Sequence, residues 1–195
     1  MFTGLVEAIG RVASVRDMPG GRRVRIDAPF ASALADGESV AVNGVCLTAI
    51  QRDDTALEAD IGPETARVTT LGELVAGAAV NLERSMAAAG RFGGHFVQGH
   101  VDGMGQISAV RAEGEAYWIT IEFPPGLAPF FVPKGSVAVD GISLTVAALA
   151  EAQFDVMIIP FTWQSTTLSQ RVAGDRVNLE CDMLGKYVVR ALQAR

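Results

Sequence analysis

The chain repeats itself. Residues 37–48 read GESVAVNGVCLT and residues 134–145 read KGSVAVDGISLT; residues 69–83 read TTLGELVAGAAVNLE and residues 166–180 read TTLSQRVAGDRVNLE. Both pairs are offset by 97 residues, and MFTGLVEAIGRVASV at 1–15 aligns with FVQGHVDGMGQISAV at 96–110 at an offset of 95. A period of nearly half the chain means two homologous domains in tandem, not a solenoid of short units. The 195 residues then divide into two units of about 95, each large enough for a modest core. The expected boundaries are 1–94 (ending in the small, flexible linker AAAGRFGG at 87–94), 95–181, and a tail at 182–195.

Period-two alternation and β-branched residues dominate both halves. Strands are expected at 4–15, 22–28, 39–43, 45–51, 55–61 and 79–83, and again at 99–110, 115–123, 136–140, 142–149, 153–159 and 176–180. Six short antiparallel strands over about 90 residues close most naturally into a small barrel, which removes exposed edges. Asn43-Gly44 and Asp140-Gly141 sit at the same repeat position between apolar runs and signal tight turns. Segments 62–74 and 159–171 read as loops entering one or two helical turns with Thr or Ser caps. In the tail DMLGKYVVRALQAR, Leu184, Tyr187, Val188, Ala191 and Leu192 share one helical face. That face needs covering, and self-association is the favoured cover.

The remaining bulk properties exclude several classes. A hydrophobic content of 49% with 19% charged residues is that of a globular chain, and a formal charge of -6 argues against nucleic acid. No run approaches a membrane span, and the start carries Glu7 and no basic segment, so a cytoplasmic setting is expected. The two cysteines, Cys46 and Cys181, fall at non-equivalent repeat positions, which speaks against a framework disulfide.

Positions that differ in chemistry between the halves are the functional candidates. Cys46 is matched by Ser143, Asn43 by Asp140, Leu5 by His100 and Thr3 by Gln98. Two pockets alike in shape and unlike in reactivity suit a reaction between two similar molecules in different roles. Plainer readings stand beside this one: Cys46 as a buried small hydrophobe, Asp140 as a turn residue, Lys134 as a solvated loop charge, Cys181 as filler. His95 and His100, five residues apart in a strand, would point oppositely and share no metal.

Taken together, MFTGLVEAIG, SVAVNGVCLT, NLERSM with GGHFVQGHVD, and KGSVAVDGISLT closely resemble the riboflavin synthase family of the trimeric alpha type, over essentially the whole chain. The resemblance implies an all-β fold of tandem six-stranded antiparallel Greek-key barrels plus a C-terminal helix that holds a homotrimer. It implies one 6,7-dimethyl-8-ribityllumazine per barrel, a four-carbon transfer giving riboflavin and a ribitylaminouracil, and no metal or organic cofactor. The catalytic candidates it carries over are Cys46, His100 (not His95), Asp140 and Ser143. For substrate binding it implies Phe2, Thr3, Gly4, Leu5 and Val6, then Ser39, Cys46, Leu47 and Thr48, then Asp60, Ile61, Gly62, Pro63, Glu64 and Thr65. The second set is Gly99, His100 and Val101, then Lys134, Ser143, Leu144 and Thr145, then Met157, Ile158, Ile159, Pro160, Phe161 and Thr162. Lumazine synthase is a candidate partner. Phe161 departs from the family, standing where the first half has Glu64. The competing class is a non-catalytic barrel that holds a lumazine or flavin as a fluorophore. A flavin barrel of a reductase fits less well, since no nucleotide domain accompanies it.

Overall fold

Asn43-Gly44 and Asp140-Gly141 form the two hairpin turns that anchor the repeat. Their φ angles are 45° and 74° in the first and 45° and 79° in the second. Two consecutive positive φ values match the twist of the flanking strands, and Asn-Gly and Asp-Gly tolerate them best. The computed structural model describes residues 1–194.

The first half runs β1 (Ala8–Met18), β2 (Gly21–Asp27), β3 (Ser39–Val42), β4 (Val45–Thr48), β5 (Gln51–Arg52), β6 (Ala56–Ile61), the short helix α1 (Pro63–Val68) and β7 (Ala79–Arg84). The second runs β8 (Gly103–Glu113), β9 (Ala116–Glu122), β10 (Ser136–Val139), β11 (Ile142–Leu149), β12 (Gln153–Ile158), α2 (Pro160–Ser165) and β13 (Arg176–Cys181), followed by α3 (Met183–Gln193). Each short helix starts with Pro in its first turn and is followed by a 3-10 turn whose preceding threonine caps it, Thr69 accepting from Leu71 N–H and Thr166 from Leu168 N–H.

All pairings are antiparallel, and the strand order β10-β11-β12-β9-β8-β13 closes the second half into a barrel. The first half has the order β4-β3-β7-β1-β2-β6-β5, the same succession of neighbours as in the second barrel, with its sixth strand in two consecutive pieces, β4 and β5, at the two ends of the order. The extra strand arises because the counterpart of β11 is interrupted. In β11 a bulge between Val146 and Ala148 keeps the strand continuous. The hydrogen bonding at the break repeats that of the second half, since Ala49 N–H to Glu38 O and its counterpart Val146 N–H to Gly135 O are both 2.9 Å, and β4 with β3 and β5 with β6 match the two neighbours of β11. Each half has its own core, Val24, Ile26, Leu57 and Leu82 in the first and Ile119, Ile121, Phe154 and Leu179 in the second.

The two expected strands at 4–15 and 99–110 begin late, at Ala8 and Gly103. The residues before them leave the sheet because Gly4 and Gly99 adopt φ of 76° and 81°. Instead they cross to the other barrel. Phe2 and Val97 pair as an isolated antiparallel bridge, and their side chains fill a small core with Ala41 and Ala138 between the barrels.

The barrels also meet at their two tight turns. A Cβ on Gly44 would lie 2.5 Å from Gly141 N, so only glycine permits this approach. Around it, Asn81 Nδ2 donates to Asp140 O (3.0 Å) and Asn178 Nδ2 to Asn43 O (2.9 Å). The same side chains accept from Thr167 N–H (2.9 Å) and Thr70 N–H (2.8 Å) of the opposite half. Each barrel thereby satisfies buried polar groups of the other, which fixes their relative orientation.

On the second barrel, α3 starts at its Asp182 cap (Leu184 N–H to Oδ1, 3.0 Å) and is tied down by Lys186 to Asp102 (2.6 Å). Leu184, Tyr187, Val188, Ala191 and Leu192 all stay exposed, as the apolar face read from sequence. No helix among the described residues is long and apolar enough to cross a membrane.

Candidate functional site

Cys46 and Ser143 occupy equivalent places on the outer walls of the two barrels. Cys46 pairs with Ala41, which pairs with Glu83; Ser143 pairs with Ala138, which pairs with Glu180. Each row of three side chains therefore runs across three strands on one face. The crossing segments lie on these rows. Cys46 N–H donates to Gly99 O and Ser143 N–H to Gly4 O, both at 2.8 Å. A Cβ on Gly99 would be 2.6 Å from Cys46 Cβ, and one on Gly4 would be 2.7 Å from Ser143 Cβ. Glycine is thus required at both positions by close approach and by positive φ.

This arrangement gathers the residues singled out in the sequence into two clusters. The first brings Cys46, Leu47 and Thr48 of β4 together with Gly99, His100 and Val101 of the second half's crossing segment. The second brings Ser143, Leu144 and Thr145 of β11 together with Gly4, Leu5 and Val6 from the start of the chain. The ends of β6 and β12 and the helices that follow hold Asp60–Thr65 and Met157–Thr162. Each cluster is built from a strand of one barrel and a segment of the other.

Burial sorts the candidates by what they can offer a ligand. Leu47, Ile61, Leu144 and Ile158 point into barrel cores, so only their backbone groups can face a ligand. Phe2 is fully buried between the barrels and Thr3 is spent on Glu83, so neither side chain is free to close over a site. Thr48, His100 and Thr145 are exposed, and Cys46 and Ser143 half-buried. Ser39 pairs with Thr48 in the sheet, and its carbonyl accepts from Ser85 N–H. Lys134 is exposed and donates to Ala147 O (3.0 Å), the loop charge of the plainer reading. Pro63, Pro160 and Thr162 lie in the first turns of α1 and α2.

The rims of the two sites differ. On the first, Asp60 is held bidentately by Arg23 (2.6 and 2.8 Å) and Glu64 by Arg67, and these partners keep both carboxyls below their ordinary values. On the second, the matching positions are Met157 (48% exposed), Ile159 (51%) and Phe161 (74%). One rim is acidic and polar, the other apolar.

Two residues behave differently from their sequence reading. Asp140 is fully buried, and its carboxylate is occupied by Asn178 N–H (2.8 Å) and Arg171 Nη2 (2.7 Å). Its oxygens hold the turn that precedes Ser143; none faces a ligand. His95, set aside in favour of His100, places Nδ1 2.7 Å from Ser143 Oγ, and its Nε2 is buried without a partner. Burial pushes this imidazole below its ordinary value. His95 lies in the linker region and has no counterpart of its kind in the first half; the repeat comparison could not flag it. Cys181 lies in the second core, where burial pushes its thiol up to about 12, the inert filler expected.

Comparison with known proteins agrees with the repeat and the fold. The lumazine binding domain model matches twice, at residues 3–85 and 98–182. The riboflavin synthase of Mycobacterium bovis is 46% identical over 201 residues, covering 100% of this chain and 99% of that protein. That of Bacillus subtilis is 42% identical over 195 residues, covering 98% of this chain and 90% of that protein. Among solved structures, LumP complexed with riboflavin superposes with a TM-score of 0.87 at 22% identity, covering 93% of this chain and 99% of that one, a likeness of fold. A double-barrel chain with two lumazine-binding repeats and this degree of identity along its whole length belongs to the riboflavin synthase family.

Proposed function

We propose that this chain dismutates 6,7-dimethyl-8-ribityllumazine. Two molecules react, one giving up a four-carbon unit and the other taking it, to yield riboflavin and 5-amino-6-ribitylaminouracil. Donor and acceptor are the same compound, so the electrons balance without an external oxidant. The observation that carries this reading is the pair of equivalent positions, Cys46 under Gly99 and Ser143 under Gly4, alike in backbone and unlike in side-chain chemistry.

The reaction asks for a base at the acidic C7 methyl of one lumazine and for a nucleophile or polarising group at C7 of the other. We assign His100, exposed beside the Cys46 strand, as the base at one lumazine, with the Cys46 thiol polarising that same ring. Ser143, with His95 at its hydroxyl, serves the second lumazine. Asp140 acts indirectly, by holding the turn that carries Ser143. Stacking two rings in register supplies a large share of the rate, since positioning alone can reach effective molarities of about 10⁵–10⁸ M.

The uncovered apolar face of α3 supports self-association as a homotrimer, with the reacting pair assembled between the first barrel of one copy and the second barrel of another. A cytoplasmic setting and an association with lumazine synthase complete the reading. The decisive experiment mixes the purified chain with the dimethyl-ribityllumazine and follows riboflavin absorbance. Conversion is expected; tight binding without conversion would make the chain a fluorophore carrier.

A further inference from the structure

The two catalytic candidates that differ most from their repeat partners, Cys46 and His100, come from different barrels, so something must hold the second barrel's segment on the first barrel's wall. Glu180 is 2% exposed and receives three backbone donors: Gln98 N–H at 2.7 Å, Gly99 N–H at 2.8 Å and His100 N–H at 2.9 Å. Glu83, its repeat partner at 6% exposure, receives Thr3 N–H at 2.7 Å, Thr3 Oγ1 at 2.8 Å and Gly4 N–H at 3.0 Å. Three converging donors around one buried carboxylate form a concave anion seat made of the chain's own backbone, and charge-assisted bonds of this kind are the strong ones.

We propose that Glu180 is a positioning residue for the Cys46 site, fixing His100 by its own backbone N–H and seating Gly99 O on Cys46 N–H, and that Glu83 does the same for the Ser143 site through Gly4. Each crossing segment is held twice, by a glutamate of its own barrel and by a strand of the other. The rows Glu83–Ala41–Cys46 and Glu180–Ala138–Ser143 leave room for both segments because the middle residue is alanine in each. Burial raises both carboxyls above their ordinary value while the N–H donors pull the other way. An amide side chain cannot replace these carboxylates, because its NH₂ would face backbone N–H groups. The proposal deepens the dismutation reading and rests on it for the word positioning.

The test compares Glu180→Gln with Glu83→Gln in the full chain without substrate. Cys46 is half-buried and Cys181 is fully buried, so iodoacetamide reports on the first site alone. Glu180→Gln is expected to speed Cys46 alkylation about tenfold, the factor that loss of one charge-assisted hydrogen bond gives, and Glu83→Gln to leave it within about twofold. Thermal unfolding of both variants serves as the control for general loosening. In turnover, Glu180→Gln is expected to lower kcat with KM nearly unchanged. Equal alkylation rates in the two variants, or no change in either, would overturn the proposal. If the unaltered chain forms no riboflavin, the dismutation reading fails while the alkylation contrast stands, so the two failures are told apart.

Discussion

His95 Nδ1 lies 2.7 Å from Ser143 Oγ, and Thr3 O accepts from His95 N–H at 3.1 Å, so one residue ties the linker, the start of the chain and the second site together. Burial lowers its imidazole from the ordinary value of 6.5. The unfolded chain therefore takes up the proton first. The stability tied to neutral His95 is fully present above about 6.5 and is lost as pH falls from there towards the lowered folded value. Buried Glu83 and Glu180, with raised carboxyls, act in the opposite sense over their own range, so the comparison must be made between variants. Urea midpoints across this interval should show a flatter pH slope for His95→Gln; an unchanged slope would assign the protonation elsewhere.

Cys46→Ala and His100→Ala should slow turnover more than they weaken ligand binding. General acid–base groups contribute about 10²–10⁴-fold, so His100→Ala is expected near the lower end of that range in kcat, with KM moving only a few-fold. His100→Leu, which copies Leu5 of the first half, should behave alike. Equal losses in kcat and in lumazine affinity would reduce both residues to positioning groups.

Most of the sheet was legible because its causes are local. Alternation located every main strand to within a few residues, and Asn43-Gly44 and Asp140-Gly141 fixed both hairpins through the φ values that only such pairs accept readily. What escaped is tertiary. Residues 4–7 and 99–102 alternate like strand, yet Gly4 and Gly99 turn them across to the other barrel, a choice governed by Ser143 and Cys46 far along the chain. Asp140 differs from Asn43 for a reason visible only in three dimensions, the nearby Arg171, where the first half has Leu74. The face of α3 was readable from period alone, and among the described residues it stays exposed.

That face carries a prediction of its own. Tyr187 and Val188 are 68% and 60% exposed on a helix whose other side rests on the second barrel. Tyr187→Glu with Val188→Glu should leave far-ultraviolet circular dichroism unchanged and shift sedimentation to the monomer. On the proposed self-association, a double variant that sediments as the unaltered chain does would show that α3 holds no copies together.

Asn178→Ala leaves Thr70 N–H and Asn43 O buried without partners. Each orphaned group costs about 1–3 kcal/mol, so a loss on the order of 3 kcal/mol in urea unfolding is expected. Asn81→Ala should cost a similar amount, because it orphans the repeat-equivalent pair, Thr167 N–H and Asp140 O. A loss below about 1 kcal/mol for both would mean that water takes over these groups.

The sharpest test of the repeat is to convert the second half's turn into the first's. Asp140 is fully buried against Arg171, which is 22% exposed, whereas the first half places neutral Asn43 and Leu74 at these positions. Asp140→Asn alone strands a half-buried guanidinium, and Arg171→Leu alone strands a fully buried carboxylate. Breaking a buried pair from one side costs about 3–5 kcal/mol, with the larger loss expected for Arg171→Leu because Asp140 is fully buried. The double variant Asp140→Asn with Arg171→Leu should regain most of that loss, as neutral partners of matching volume commonly do. If its turnover recovers along with its stability, Asp140 acts through the turn that presents Ser143; recovery of stability with turnover still lost would make the Asp140 charge itself part of the chemistry.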